Sequence, residues 1–256
     1  MAEPYYEDAD TVLYLGDMRQ VLPELDVTAD CVIADPPYGE TSLSWDRWPD
    51  GWPDALLGAA RSMWCFGSMR MFLQQALQFD AWTLSQDVVW QKQNGTGFAT
   101  DRFRRVHEHA LHWYRGEWRT IHHAVPRMQV GIRERGRSVA QGKGHAQHLG
   151  AIEKGAWTDD GSRLAPSVIQ AANMWRRGAV HPTEKPTGIL APLIEYACPA
   201  GGLILDPFAG SGSTAVAARL TGRRAVLIEA DERYCEVIAR RLAQGVLDLT
   251  PSGGAS

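Results

Sequence analysis

The chain has 256 residues, 45% of them hydrophobic and 22% charged, with a formal net charge of −4. That length and apolar content support one α/β core carrying an insertion, and no stretch approaches the ~20 apolar residues of a membrane span. The acidic opening Met1-Ala2-Glu3-Pro4-Tyr5-Tyr6-Glu7-Asp8 shows no basic region followed by an apolar run, so no secretory leader and a cytoplasmic location are expected.

Residues 11–15 alternate as a short strand that ends at Gly16-Asp17, and 18–25 read as helical or irregular. The apolar run Cys31-Val32-Ile33-Ala34 then predicts a buried strand, followed at once by Asp35-Pro36-Pro37-Tyr38-Gly39. Two adjacent prolines neither continue a ladder nor enter a helix interior. The backbone therefore leaves the sheet stiffly, with carbonyls that have no partner in regular structure. A carboxylate, an outward carbonyl at Pro36 and the aromatic face of Tyr38 suit a flat ligand bearing an amine, such as a nucleobase. The plain alternative is a strand exit capped by an Asp.

Residues 39–53 form a Trp-rich loop with Trp45, Trp48 and Trp52; a helix is expected at 54–61, a buried strand at 63–66 and a helix at 69–78. Two β-rich segments follow at 86–91 and 107–114, joined by a connection carrying Arg102, Arg104 and Arg105. Between Arg102 and His148 stand ten Arg or Lys against Glu108, Glu117 and Glu134, together with seven of the eight histidines. The positive charge of an acidic chain is thus gathered in one window, which fits a polyanion partner. Arg127, Arg133, Arg135, Arg137 and Lys143 join the three earlier arginines as candidates for phosphate or base-edge contacts, although such a window also suits a solvated loop. No metal is expected, because no Cys or carboxylate set completes a site around His107, His109 and His112. The four cysteines, at 31, 65, 198 and 235, lack CxxC spacing and are expected as reduced core residues. Residues 115–180 show little periodicity and read as an inserted recognition region without its own core.

His181-Pro182-Thr183-Glu184-Lys185-Pro186 precedes an amphipathic helix at 187–197. Thr183 and Lys185 are candidates for holding a carboxylate, and Thr183 or Thr187 for capping the helix. A strand at 203–205 then runs into Asp206-Pro207-Phe208-Ala209-Gly210-Ser211-Gly212-Ser213-Thr214 and a helix at 213–220. A Gly-rich turn between strand and helix lets backbone approach a ligand and offers free amides. The next strand, 225–228, ends at Glu229, where a carboxylate can accept both hydroxyls of a ribose. Gly210-x-Gly212-x-x-Ala215 also meets the loose dinucleotide fingerprint, so a nicotinamide oxidoreductase stays open, while the absence of a following Lys disfavours a P-loop. A last helix is expected at 232–246 and a disordered tail at 249–256.

Taken together, the chain resembles the β group of S-adenosylmethionine-dependent amino methyltransferases acting on DNA. Asp35-Pro36-Pro37-Tyr38 resembles the catalytic motif, Asp206 to Thr214 the cofactor loop, and His181 to Pro186 the motif beside the methionine moiety; their order, with the recognition region between, is that of the group. The stretch Val89-Trp90-Gln91-Lys92-Gln93-Asn94 with Arg102 and Glu108 is similar to the family's segment between catalysis and recognition. Trp45-Asp46 resembles the end of the catalytic loop, and Gly16-Asp17 falls where an acidic residue lies near base and cofactor. Gly39 departs from the Asn of many members. The resemblance implies a Rossmann-like class I methyltransferase fold with a mixed seven-stranded sheet in permuted motif order. It implies a catalytic half at 1–114, a target-recognition insertion at 115–180 and a cofactor half at 181–248. Catalysis falls to Asp35, Pro36, Pro37 and Tyr38. S-adenosylmethionine contacts fall to Asp17, His181, Thr183, Lys185, Asp206, Phe208, Gly210, Ser211, Gly212, Thr214 and Glu229. Double-stranded DNA is the implied partner, adenine-N6 the favoured target since Asp opens the tetrapeptide, with cytosine-N4 the alternative, and a homodimer the implied assembly.

Overall fold

The computed structural model describes residues 2–96, 100–129, 160–171 and 184–244. Two compact units are present: Met1–Ala124 with Ser167–Ser256, and Val125–Pro166. The main unit opens with β1 (Tyr6–Glu7), β2 (Thr11–Leu15), α1 (Met18–Val21), β3 (Cys31–Ala34), α2 (Trp52–Ala55), β4 (Ser62–Gly67) and α3 (Met69–Gln74). The long pair β5 (Thr83–Thr96) and β6 (Arg105–Tyr114) follows. The described part of the second unit is a hairpin of β7 (Arg127–Gln129) and β8 (Ser162–Leu164). The main unit then resumes with β9 (Val168–Gln170), α4 (Thr187–Ala197), β10 (Leu203–Asp206), α5 (Ser213–Leu220), β11 (Arg224–Glu229) and α6 (Glu232–Ala243).

One sheet orders the strands β1-β2-β11-β10-β3-β4-β6-β5-β9. The sheet is mixed, as expected, but among the described residues it has nine strands where seven were expected; β1 and β9, with two and three residues, are too short to show alternation. Strands β2, β11, β10, β3 and β4 are mutually parallel, β6 reverses between β4 and β5, and β1 reverses beside β2. Alternation along the central strands builds two cores. Cys31, Ile33, Trp64 and Phe66 face the layer of α4, α5 and α6, where Leu190, Leu193, Ala217 and Ile238 are buried. Val32, Ala34, Met63 and Cys65 face Met18, Trp52, Leu56, Met71 and Phe79 on the other side. Continuous apolar runs are what strands covered on both faces require. All four cysteines are buried free thiols, as expected for core residues.

Several helices differ from the periodicity. The helix expected at 54–61 is instead the single turn α2, which begins at Trp52 because Gly51 adopts φ 78° and Pro53 fits a first turn. Its continuation unwinds into turns at Leu56 to Ala59. The helix expected at 69–78 stops at Gln74 and resumes as a 3-10 turn, Ala76–Phe79, which buries Phe79. Pro186, and neither threonine, occupies the N-cap position of α4, with Thr187 its first helical residue. The last helix ends at Ala243, and the tail lies outside the described residues. The insertion expected at 115–180 is wider than the second unit, because Ala124 N donates to Tyr196 O at 2.8 Å and β9 pairs with β5.

Candidate active site

After β3 the chain passes through α2 to β4, and after β10 it passes through α5 to β11, so the two neighbours depart in opposite directions along the sheet with covering helices on opposite faces. That makes the β10–β3 boundary a topological switch point, where open parallel sheets bind ligands at their carboxyl ends. Asp35 leaves β3 and the Asp206 to Thr214 turn leaves β10, with Leu205 in register with Val32. Glu229 closes β11 beside them, and Gly16-Asp17 closes β2, tied in by Gly16 N donating to Glu229 O at 2.8 Å. Four segments singled out separately in the sequence thus emerge along one edge of the sheet.

Asp35 is held from two sides. Tyr38 Oη donates to Asp35 Oδ1 at 2.9 Å, and Lys185 Nζ donates to Oδ2 at 2.5 Å. Lys185 is only 8% exposed, 5.9 Å from the Tyr38 ring centre and 5.1 Å from that of Phe66. Its ammonium also lies 3.5 Å from Glu108 Oε2, and Lys92 pairs with Glu108 Oε1. Burial opposes the Lys185 charge, but the Asp35 and Glu108 carboxylates outweigh it and raise its pKa above the usual lysine value. Burial would likewise raise Glu108, yet Lys185 and Lys92 hold it below the ordinary carboxylate range. Burial, with the charges of Asp35 and Glu108, lifts the Tyr38 hydroxyl well above its ordinary value, so that it donates and does not ionise.

The loop following Tyr38 is fastened by Asp46, which is 3% exposed and accepts from Gly39 N and Thr41 N, each at 2.7 Å. Glu40 accepts from Ser68 Oγ, the residue that also caps α3 through Met71 N at 3.0 Å, and pairs with Arg105 at 3.4 Å. Trp48, Trp52 and Phe79 form an aromatic cluster beneath, with Trp52 edge-on to Phe208 at 5.2 Å between centroids.

In the Gly-rich turn, Gly210 and Gly212 take φ of 53° and 74°, conformations that favour glycine. Gly210 N donates to Glu229 Oε2 at 2.7 Å, and Asp231 N to Oε1 at 2.9 Å. Burial raises the Glu229 carboxyl against these amides. Asp206 accepts from Phe208 N at 3.0 Å; burial, aided by the charges of Asp35 and Glu229 and opposed by the Thr214 hydroxyl, pushes its pKa up to about 7. Ser211 shares a hydrogen bond with Ser213 at 2.9 Å, and Ser213 donates to Glu184 at 3.0 Å. Arg241 of α6 pairs with Glu184 at 2.7 Å and donates to Ser211 O at 3.0 Å, so the segment before α4 is fixed to the turn. Asp17 caps α1, accepting from Arg19 N at 2.9 Å; the Arg19 guanidinium lowers its pKa.

Of the basic candidates, Arg102 and Arg104 stand exposed in the β5–β6 connection, with Arg102 paired to Asp101 at 2.6 Å. Arg127, in the second unit, donates to Ser162 Oγ at 2.8 Å. Arg133, Arg135, Arg137, Lys143, His181 and Thr183 lie outside the described residues. His112 is buried, bonded to Ser62 Oγ at 3.0 Å and packed on Trp64 and Tyr196; burial lowers its pKa to about 4. Among the described residues no group of three or more His, Cys, Asp or Glu is placed to hold a metal. Sequence reasoning missed how Lys92, Glu184, Arg241, Glu40 and Asp46 fasten the site. Lys92 and Glu108 carried a signal only as diagonal neighbours on paired strands, Trp90 being the residue that opposes Glu108.

The model of the N6/N4 methyltransferase family, described as DNA methylase, matches residues 29–240. The chain is 26% identical over 267 residues to the type II methyltransferase M.ScaI of Streptomyces caespitosus, covering 94% of this chain and 84% of that one. It is 24% identical to the type II methyltransferase M2.LlaDCHI of Lactococcus lactis subsp. cremoris, covering 96% and 94%. Its fold is similar to that of an M1.HpyAVI–SAM complex, with a TM-score of 0.65 and 19% identity over 91% of this chain and 98% of that one. The cytosine-N4-specific PvuII DNA methyltransferase superposes with a TM-score of 0.62 at 15% identity, covering 98% and 91%. The chain belongs to the adenine-N6/cytosine-N4 DNA amino methyltransferase family, and the fold is the Rossmann-like α/β fold of such enzymes.

Proposed function

We propose that this chain methylates the N6 amine of adenine in double-stranded DNA, acting on a base rotated out of the duplex. The observation that carries the reading is the emergence of Asp35-Pro36-Pro37-Tyr38 and the Asp206 to Thr214 turn from adjacent parallel strands at the switch point. The residues fit S-adenosylmethionine. Around Gly210 the nearest atom to an added Cβ is 3.9 Å away, leaving room at the turn, and Glu229 presents a carboxylate at the next strand's end. Phe208, Ser211, Gly212 and Thr214 line the turn; Asp17 and, from the motif before α4, His181 and Thr183 complete the proposed contacts, whereas the Lys185 ammonium is engaged by Asp35 and Glu108. When bound, the cofactor supplies an electrophilic methyl on a sulfonium.

The chain's own work is to present the amine. Asp35 and the Pro36 carbonyl accept its two protons, which turns the nitrogen lone pair toward the methyl, and Tyr38 stacks on the ring. As the new N–C bond forms, positive charge grows on that nitrogen, and the Asp35 carboxylate stabilises it and takes the released proton. Pro36-Pro37 limits the backbone freedom that would blur this geometry. Arg102, Arg104, Arg105 and Arg127 supply phosphate or base-edge contacts, together with Arg133, Arg135, Arg137 and Lys143. The same reading takes the protein to be cytoplasmic and a homodimer, the latter checked by light scattering.

Incubating DNA with methyl-labelled S-adenosylmethionine and digesting it to nucleosides tests the reading. Label in N6-methyl-2′-deoxyadenosine supports it. Label in N4-methyl-2′-deoxycytidine overturns the choice of base, and an unlabelled digest overturns the activity.

A further inference from the structure

Glu108 is a buried carboxylate with one oxygen on Lys92 and the other, Oε2, making no hydrogen bond although it lies 3.5 Å from the Lys185 ammonium. That ammonium meanwhile sits at 2.5 Å on the very carboxylate that the proposed reaction requires as an amine acceptor. The other Asp35 oxygen already receives the Tyr38 hydroxyl. A target amine and Lys185 therefore compete for Asp35, and a buried ammonium that lost its partner outright would be costly. A second carboxylate within 3.5 Å removes that penalty.

We infer that Lys185 is a shared counter-charge that an amine donating to Asp35 displaces onto Glu108 Oε2. Lys92 holds Glu108 in place, and the ring faces of Tyr38 and Phe66 border the short path between the two carboxylates. The transfer keeps the ammonium paired, and it leaves Asp35, hydrogen-bonded by Tyr38 and the incoming amine, a stronger acceptor as the base arrives. Glu108 is thus a positioning residue that acts through Lys185, without touching the base. The inference rests on the reading of Asp35 as acceptor of the target amine.

The test compares single-turnover methyl transfer at saturating S-adenosylmethionine, on unmethylated phage λ DNA, for wild type, Glu108→Gln, Lys185→Met and the double variant. Glu108→Gln should leave Lys185 on Asp35 and slow transfer by about 10- to 100-fold, the weight of one hydrogen bond to a charged group, with cofactor affinity unchanged. Removing the lysine as well should restore part of that loss, so that the double variant outruns Glu108→Gln. A purely structural Glu108 predicts the reverse, since a second core lesion only adds damage. Glu108→Asp, which keeps charge beside Lys92 but withdraws it from Lys185, should show the same deficit and serves if Glu108→Gln does not fold. Wild-type rates in either Glu108 variant, or a double variant no faster than Glu108→Gln, overturn the inference. Absence of transfer by the wild-type chain overturns the underlying methyltransferase reading and the inference with it.

Discussion

Replacing Asp46 by Asn probes how the loop after the catalytic tetrapeptide is held. The carboxylate is 3% exposed, and its two oxygens accept separately from Gly39 N and Thr41 N, both at 2.7 Å. Burial alone would raise its pKa, but the Thr41, Gly39 and Glu40 donors outweigh burial and hold it below the ordinary carboxylate range. An Asn of the same shape keeps one acceptor and turns an NH2 group against the other amide. One charge-assisted hydrogen bond is lost and a backbone N–H is left unpaired, a cost of about 2–4 kcal/mol. For a domain of this size that corresponds to a fall in melting temperature on the order of 10 °C, less where the loop opens without unfolding the sheet. In the latter case the loss appears in methyl transfer, because Tyr38 is no longer held. The sign of the pH dependence is fixed by the depressed pKa: Asp46 stabilises fully above the unfolded value of about 4, and that stabilisation is lost as pH falls through the lower folded value. The gap between wild type and Asp46→Asn should therefore narrow in acid. Thermal melts from pH 8 to pH 3, with single-turnover transfer on the same samples, measure both effects. A variant with wild-type melting and wild-type transfer at pH 8 refutes the reasoning.

Three further outcomes are expected. Asp206 has a folded pKa raised to about 7, so its contribution to stability is complete below about pH 4 and is lost as pH rises through about 7; Asp206→Asn should flatten urea midpoints across that window, and unchanged curvature would contradict the assignment. Gly212→Val should be destabilising by at least the ~1–2 kcal/mol of a left-handed residue, since φ is 74° and its Cβ would lie 3.0 Å from Ile238 Cγ2; a neutral effect in guanidinium denaturation would count against the turn geometry. Binding to DNA should weaken steeply with salt, and Arg104→Ala should lower the slope of log affinity against log salt by about one; an unchanged slope removes Arg104 from the phosphate contacts.

The sequence is most readable where covalent or steric constraints act locally. The strands β2 and β3 and the helices α4 and α5 lie where periodicity puts them, and Asp35 and Gly212 advertise themselves through prolines and glycines that few other backbones need. Helix ends are less legible, because Trp52 and Phe79 are placed by tertiary burial on Phe208 and Trp113, and that packing overrides the pattern of their neighbours. The ion pairs of the site are hidden for another reason. Lys185 meets Asp35 across 150 positions and Glu108 on β6, two places along the sheet from β3, and charge carries no periodic signature of its partner. The motif before α4 assigns Lys185 to the cofactor carboxylate; its ammonium stands on Asp35 and beside Glu108. The charged window around Arg102 is visible as composition, whereas the tie from Arg105 to Glu40 depends on the β5–β6 pairing bringing it near the catalytic loop.

The central claim is that Asp35 receives the amine that is methylated, and Asp35→Ala tests it most directly. Methyl transfer to DNA from labelled S-adenosylmethionine and cofactor affinity by calorimetry are to be measured on one preparation. Transfer is expected to fall to background, with cofactor affinity within a few-fold of wild type. Turnover retained in Asp35→Ala would contradict it.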